Sequence, residues 1–176
     1  MISLRGLKRK DAPLMLEWMH DPDIQKGFKK NMLGASLDDA ERFCLNSELS
    51  SSLQDGDSIH FAITDENDEY LGTVSLKELD FENKSAEYAI ILRKKAQGKG
   101  VAYEATGLVL RKAFYEYDLH RVYLNVLADN SSAIRLYERC GFKYEGEFRE
   151  HLFLNGRYVN WKWYGILKGE FDENKY

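Results

Sequence analysis

Proline is scarce in this 176-residue chain, with two copies, and no Gly/Ser tract of linker length interrupts it. That leaves nothing to separate two units, and domains of roughly 100–200 residues are the norm, so residues 1–176 read as one domain. Cysteine is equally sparse: Cys44 and Cys140 fall one in each half, neither in a CxxC pair. Reduced thiols in a reducing compartment fit this usage, and a structural disulfide does not. His20, His60, His120 and His151 show no i, i+4 or clustered spacing, so no metal is expected. Basic charge is not in excess, with 25 Lys and Arg against 29 Asp and Glu and a net charge of −4. The footprint that would release counterions from a phosphate backbone is missing, which speaks against nucleic acid as a ligand. No uncharged run approaches the roughly 18 residues of a membrane span. The opening MISLRGLKRK has no apolar core ending in small residues, so the chain reads as cytoplasmic and free of membrane. What is present is 44% hydrophobic, 13% aromatic and 31% charged residues, enough to build a soluble globular core.

Apolar alternation from Met1 to Lys8 marks a first strand, followed by a helix with Asp11 as its N-cap and Pro13 in its first turn. Leu14, Leu16, Trp18 and Met19 belong to that helix, which ends near Asp21-Pro22. Ser36 with Asp39 forms a capping box for a second helix whose Ala40, Phe43, Cys44 and Leu45 can share one face. Ile59, Phe61 and Ile63 alternate, an acidic turn at Asp65 to Asp68 reverses the chain, and Tyr70 to Leu79 alternates again. Ala86 to Leu92 ends in a continuous apolar run, as a central strand buried on both faces would. A long helix carries Val101, Ala105, Leu108, Val109 and Ala113 at helical spacing to about Tyr117. Arg121 to Leu127 is a further strand, Ser131 to Arg139 a helix closed by Gly141, and two last strands meet at Asn155-Gly156. The class is α/β of the mixed, α+β kind: a mixed sheet of about seven strands flanked by about four helices.

Gln97-Gly98-Lys99-Gly100-Val101-Ala102 lies between the central strand and the long helix. Several backbone N–H groups converge there with the positive end of a helix dipole behind them, which suits an anion. Gly98 and Gly100 let the backbone approach a phosphate, and Lys99 adds charge. The P-loop and the dinucleotide fingerprint are both absent, because no Gly-Lys-Ser/Thr and no third glycine stand where they are required.

Gln97-x-x-Gly100-x-Ala102 after the strand AEYAIIL resembles the acetyl-CoA signature of the GCN5-related N-acetyltransferases. Asn130-Ser-Ser-Ala133-Ile134-Arg-Leu-Tyr137-Glu138-Arg-Cys-Gly141-Phe142 is similar to the same family's second signature. The tail from Glu145-Gly146-Glu147 through Asn155-Gly156-Arg157-Tyr158 resembles the branch holding ribosomal-protein N-terminal acetyltransferases and bacterial spermidine acetyltransferases, and leans toward the latter.

The resemblance implies a sheet splayed between the strands ending near Leu92 and Leu127, with acetyl-CoA as co-substrate and no metal. The pyrophosphate would rest on Gln97, Gly98, Lys99, Gly100, Val101 and Ala102, and the pantetheine arm would pair with the strand edge at Ile90, Ile91 and Leu92. Asn130 would contact pantetheine or cap its helix, Tyr137 would be the acid for the leaving thiolate, and Glu87 is the first candidate for the base. Asn125 stands where some peptide-directed members place a glutamate. The implied reaction is acetyl transfer to a small or polycationic amine such as spermidine or an amino sugar. A protein N-terminal acetyltransferase and a non-catalytic CoA-binding module are the alternatives. Asp38 and Glu41, with Asp39, form an acidic cluster that would attract a polyamine. A homo-oligomer is compatible with this reading.

Overall fold

The computed structural model describes residues 1–28, 30–47 and 52–176. Seven strands form one sheet: β1 (Ser3–Gly6), β2 (Ile59–Thr64), β3 (Tyr70–Asp80), β4 (Ser85–Leu92), β5 (Arg121–Leu127), β6 (Lys143–Leu154) and β7 (Arg157–Leu167). Their spatial order is β1-β2-β3-β4-β5-β7-β6, antiparallel throughout except for the β4–β5 pair. The helices are α1 (Ala12–Met19), α2 (Pro22–Gln25), α3 (Leu37–Asn46), α4 (Val101–Arg111) and α5 (Ser131–Arg139).

Alternation along the strands sends side chains to two separate cores. Phe61, Ile63, Val74, Leu76, Tyr88, Val122, Leu124 and Ile166 pack under α4 and α5, while Ala62 and Tyr70 point the other way, to Met15 and Trp18 of α1 and Ala40 and Cys44 of α3. Trp18 donates its indole N–H to the Tyr70 hydroxyl, which meets Thr73 Oγ1 at 2.7 Å, so the polar atoms under α1 are satisfied. Gly107 is required within α4 by close approach: a Cβ there would collide with the Tyr176 ring.

Several local expectations change. Asp11 does not cap α1; its carboxylate accepts the Lys8 N–H and a two-pronged ion pair from Arg5, closing the short 3₁₀ turn ahead of the helix. Asp21 instead caps an unanticipated single turn, α2, accepting the N–H groups of Asp23 and Ile24. The capping box at Ser36 and Asp39 is present, but Leu45 is exposed and only Ala40 and Cys44 of α3 are buried. The stretch after α4 widens into a π turn over Lys112–Glu116. β4 is central, yet Ile90 and Ile91 are half-buried rather than enclosed, because the sheet opens beside them.

Just past β4, the Arg93 side chain is buried and makes four hydrogen bonds, two to the Glu17 carboxylate, one to Glu69 and one to the Tyr70 carbonyl. This fixes the end of β4 to α1 and to the β2–β3 turn. Arg93→Ala is expected to lower stability by about 1.5–3 kcal/mol, the usual worth of hydrogen bonds to charged groups. Urea denaturation checks it, and an unchanged midpoint would show that the network contributes nothing net.

Candidate active site

β4 and β5 pair at three positions only, Ser85 with Arg121, Ala86 with Val122 and Glu87 with Tyr123. Beyond Glu87, β4 stays with β3 as far as Leu92, and β5 stays with β7 as far as Leu127. The two strands therefore diverge, leaving facing edges with unpaired backbone groups, and a cleft of about 1040 Å³ opens there.

Ten of the expected residues meet on this cleft: Glu87, Ile90, Ile91, Leu92, Gln97, Gly98, Gly100, Ala102, Asn130 and Tyr137. Gln97 donates its side-chain amide to the Leu92 carbonyl at 3.2 Å, tying the loop to the end of β4. Gly98 and Gly100 take φ of 71° and 81°, left-handed values that favour glycine. Beside both, the position a Cβ would occupy is open space. Among the described residues, the amides of Gly98, Lys99 and Gly100 donate to no protein acceptor. The first turn of α4 adds N–H groups that have no partner inside the helix. This is a cradle of free donors with room in front of it, and it fits a pyrophosphate. Lys99 and Val101 belong to the same turn without lining the cleft; Lys99 is exposed and Val101 packs against the core.

Asn130 caps α5, its side chain accepting the Ala133 N–H at 3.2 Å, and still borders the cleft. Tyr137 stands edge-on to Tyr88 and Phe142, with ring centroids 5.9 and 6.1 Å away. Burial pushes its phenol up to about 12, with a smaller contribution from Cys140, so the hydroxyl stays protonated across ordinary assay conditions. Glu87 sits where the strands part and forms a 2.7 Å ion pair with Lys77, its partner across β3. Asn125 also borders the cleft.

The structure does not bring Asp38 and Glu41 to this place. Asp38 pairs with Arg42 on its own helix, Glu41 pairs with Arg9 at 2.8 Å, and neither lines the cleft. The carboxylates that do line it besides Glu87 are Asp21 and Asp23, and Lys77, Tyr103, Arg135, Arg139 and Trp161 join them. Lys77 was within reach of sequence reasoning, since the hairpin places it opposite Glu87. Asp21 and Asp23 depend on the turn at α2, and Arg135 and Arg139 on which side of α5 faces the opening. Among the described residues, no group of three or more His, Cys, Asp and Glu could hold a metal ion, and no helix is long and apolar enough to cross a membrane.

The sequence profile of the acetyltransferase (GNAT) domain matches residues 2–143. A spermidine N(1)-acetyltransferase of Vibrio cholerae serotype O1 is 31% identical over 97% of this chain and 95% of its own length. A crystal structure of spermidine N-acetyltransferase from Vibrio cholerae, in complex with CoA and spermine, superposes with a TM-score of 0.84 at 31% identity over 96% of both chains. A putative ribosomal N-acetyltransferase of Bacillus subtilis is 34% identical over a shorter stretch, 59% of this chain and 57% of that one.

Proposed function

The chain belongs to the GNAT acetyltransferase family, and from that premise we infer that it transfers acetyl from acetyl-CoA to a primary amine of a polyamine such as spermidine. The observation that carries this is the fork at Glu87: one cleft holds a carboxylate, a protonated phenol and a cradle of free amides. The near full-length likeness to spermidine acetyltransferases supports the substrate class.

Acetyl-CoA supplies an acetyl group activated as a thioester. The amides of the Gln97–Ala102 loop hold its pyrophosphate, and the unpaired β4 edge at Ile90 to Leu92 takes the amide groups of its pantetheine arm as an added strand would. Glu87 accepts a proton from the entering ammonium, either directly or through water, freeing the nitrogen lone pair. The amine nitrogen then bonds to the acetyl carbon as the carbon–sulfur bond breaks, and Tyr137 gives its proton to the departing sulfur. Unpaired N–H groups past Glu87 offer hydrogen bonds to the charge that develops on the carbonyl oxygen. The proton on Glu87 and the one missing from Tyr137 are exchanged with solvent, restoring the site. Asn125, where some peptide-directed members place a glutamate, favours the polyamine over a protein N-terminus.

A free-thiol release assay with acetyl-CoA across spermidine, amino sugars, aminoglycosides and Ala- or Ser-starting peptides tests the assignment. Spermidine is expected to give the highest rate at equal low concentration. Faster turnover of a peptide would overturn the polyamine reading in favour of protein N-terminal acetylation. Thiol release with none of the amines would leave a CoA-binding module.

A further inference from the structure

The segment after β7 lies along α4 and reaches back toward the cleft. Phe171 packs on Phe114 and Tyr115, just past the far end of the helix, with ring centroids 5.5 and 6.3 Å away. Tyr176 comes to rest at the near end, stacked on Tyr103 at 4.9 Å, and Tyr103 is in the first turn of α4 and lines the cleft. The Tyr176 ring lies so close to α4 that a Cβ on Gly107 would stand 2.3 Å from it. Glycine weakens a helix interior, and its place here is explained by the ring it admits.

Two hydrogen bonds turn this seat into a link between helices. The Tyr103 hydroxyl donates to the Lys175 carbonyl at 2.7 Å, fastening the segment to the start of α4. The Tyr176 hydroxyl donates to the Cys140 carbonyl at 2.5 Å, and Cys140 is the C-cap of α5, three residues after Tyr137. Carbonyls at a helix end lack partners inside the helix, so this bond takes up a free acceptor. Arg139, in the last turn of α5, adds a contact of its own, its guanidinium 4.3 Å from the centroid of the Tyr103 ring. α4 begins at the amide cradle and α5 carries Tyr137, so Lys175 and Tyr176 join the two halves of the cleft while lining none of it.

We propose that Tyr176 is a positioning residue for the reaction: it holds the end of α5 against the start of α4, and so fixes the Tyr137 hydroxyl relative to the thioester that the cradle presents. The inference rests on Tyr137 being the acid. Proton transfer to the departing sulfur needs the two groups within hydrogen-bond reach, and a misplacement of about 1 Å can cost about 10²-fold in rate. The cradle itself is set by the local turn at Gly98 and Gly100, so CoA binding should depend little on Tyr176.

Steady-state kinetics with acetyl-CoA and the fastest amine of the panel above, together with calorimetric titration of CoA, test this in the full chain well below the unfolding midpoint of each variant. Tyr176→Ala is expected to lower kcat about 10- to 100-fold while CoA affinity stays within about threefold. Tyr176→Phe keeps the ring on Tyr103 and Gly107 but loses the bond to Cys140, and should lose about two- to tenfold in kcat. The Tyr176→Ala/Tyr137→Phe double variant is decisive: if Tyr176 acts through the phenol, its kcat should match that of Tyr137→Phe alone to within about twofold. Should Tyr176→Ala fail to fold, Tyr176→Phe runs the same cycle. Losses that multiply in the double variant, an unchanged kcat in the single one, or CoA affinity that falls in step with kcat would each overturn the positioning role and leave Tyr176 a packing residue. Near-normal turnover of Tyr137→Phe, or no turnover by the wild-type protein, would overturn the acid assignment and the positioning role with it, a result distinct from the others.

Discussion

Tyr137→Phe is expected to lower turnover by roughly 10²–10⁴, the usual worth of a positioned acid, while the KM for acetyl-CoA and the folding stability stay near wild type. The hydroxyl is all that changes, and no described residue hydrogen-bonds it, so its loss leaves no buried partner unsatisfied. The ring contacts with Tyr88 and Phe142 remain.

A phenol pushed up to about 12 is a poor match for a thiolate in water, where thiols titrate near 8.5. The departing sulfur, however, would lie beside the buried phenol, and desolvation there raises a thiol as it raises a phenol. The two affinities for the proton approach each other where the transfer happens. The sign of the pH dependence follows. The protonated form of Tyr137 persists until the pH nears 12, so this group produces no falling limb below about pH 10. The rate should rise with pH as the amine loses its proton and then level off. A falling limb near pH 8–9 that vanishes in Tyr137→Phe would mean the phenol titrates far lower than its burial implies. Near-normal turnover of the variant at saturating amine would demote Tyr137 to a packing residue.

The parts of this fold that were legible in the sequence are those governed by local rules. The Ser36 capping box, the Asn155-Gly156 turn with positive φ at both residues, and the alternation of β2 and β3 each depend on neighbours within a few positions. The anion loop was legible for the same reason, since left-handed glycines and a helix start lie together in the chain. Asp11 shows where local rules fail. An acidic residue ahead of a helix reads as a cap, but Arg5, brought alongside by β1, claims its carboxylate. Trp161 and Trp163 stand two residues apart on β7 and so share a face, and Trp161 borders the cleft where the sheet splits.

The acidic cluster on α3 is the instructive miss. Charge attracts a cation only where the fold carries it, and Asp38 and Glu41 are spent on Arg42 and Arg9. Asp21 and Asp23, less conspicuous in sequence, do border the opening, but Asp21 caps α2 and Asp23 pairs with Lys26 at 2.7 Å.

Gly100→Glu is expected to abolish measurable acetyl-CoA binding in a protein that remains folded. Two effects combine, and they can be separated. The first is backbone strain: φ at Gly100 is 81°, and an L-residue held there costs about 1–2 kcal/mol. Its chain neighbours aside, no described residue has an atom within 4 Å of the position a Cβ would take, so no clash adds to that cost. A typical domain has 5–15 kcal/mol to lose, and the variant should therefore melt earlier but cooperatively. The second effect is placement of a carboxylate among free amides and the positive end of α4, in the space and field that suit pyrophosphate. A bound anion would face that charge at close range, and the side chain would occupy the open space the phosphate needs. Gly56 supplies the control, since it too has positive φ, 85°, and open space beside it, but lies away from the cleft. Gly56→Glu should lose comparable stability and keep its affinity, and Gly100→Ala should carry the strain without the charge and bind in between. Calorimetric titration with acetyl-CoA, alongside thermal unfolding of each variant, reads both effects. Unchanged affinity in folded Gly100→Glu would mean that this loop does not hold the co-substrate, and that the free amides of Gly98 to Gly100 serve only the turn.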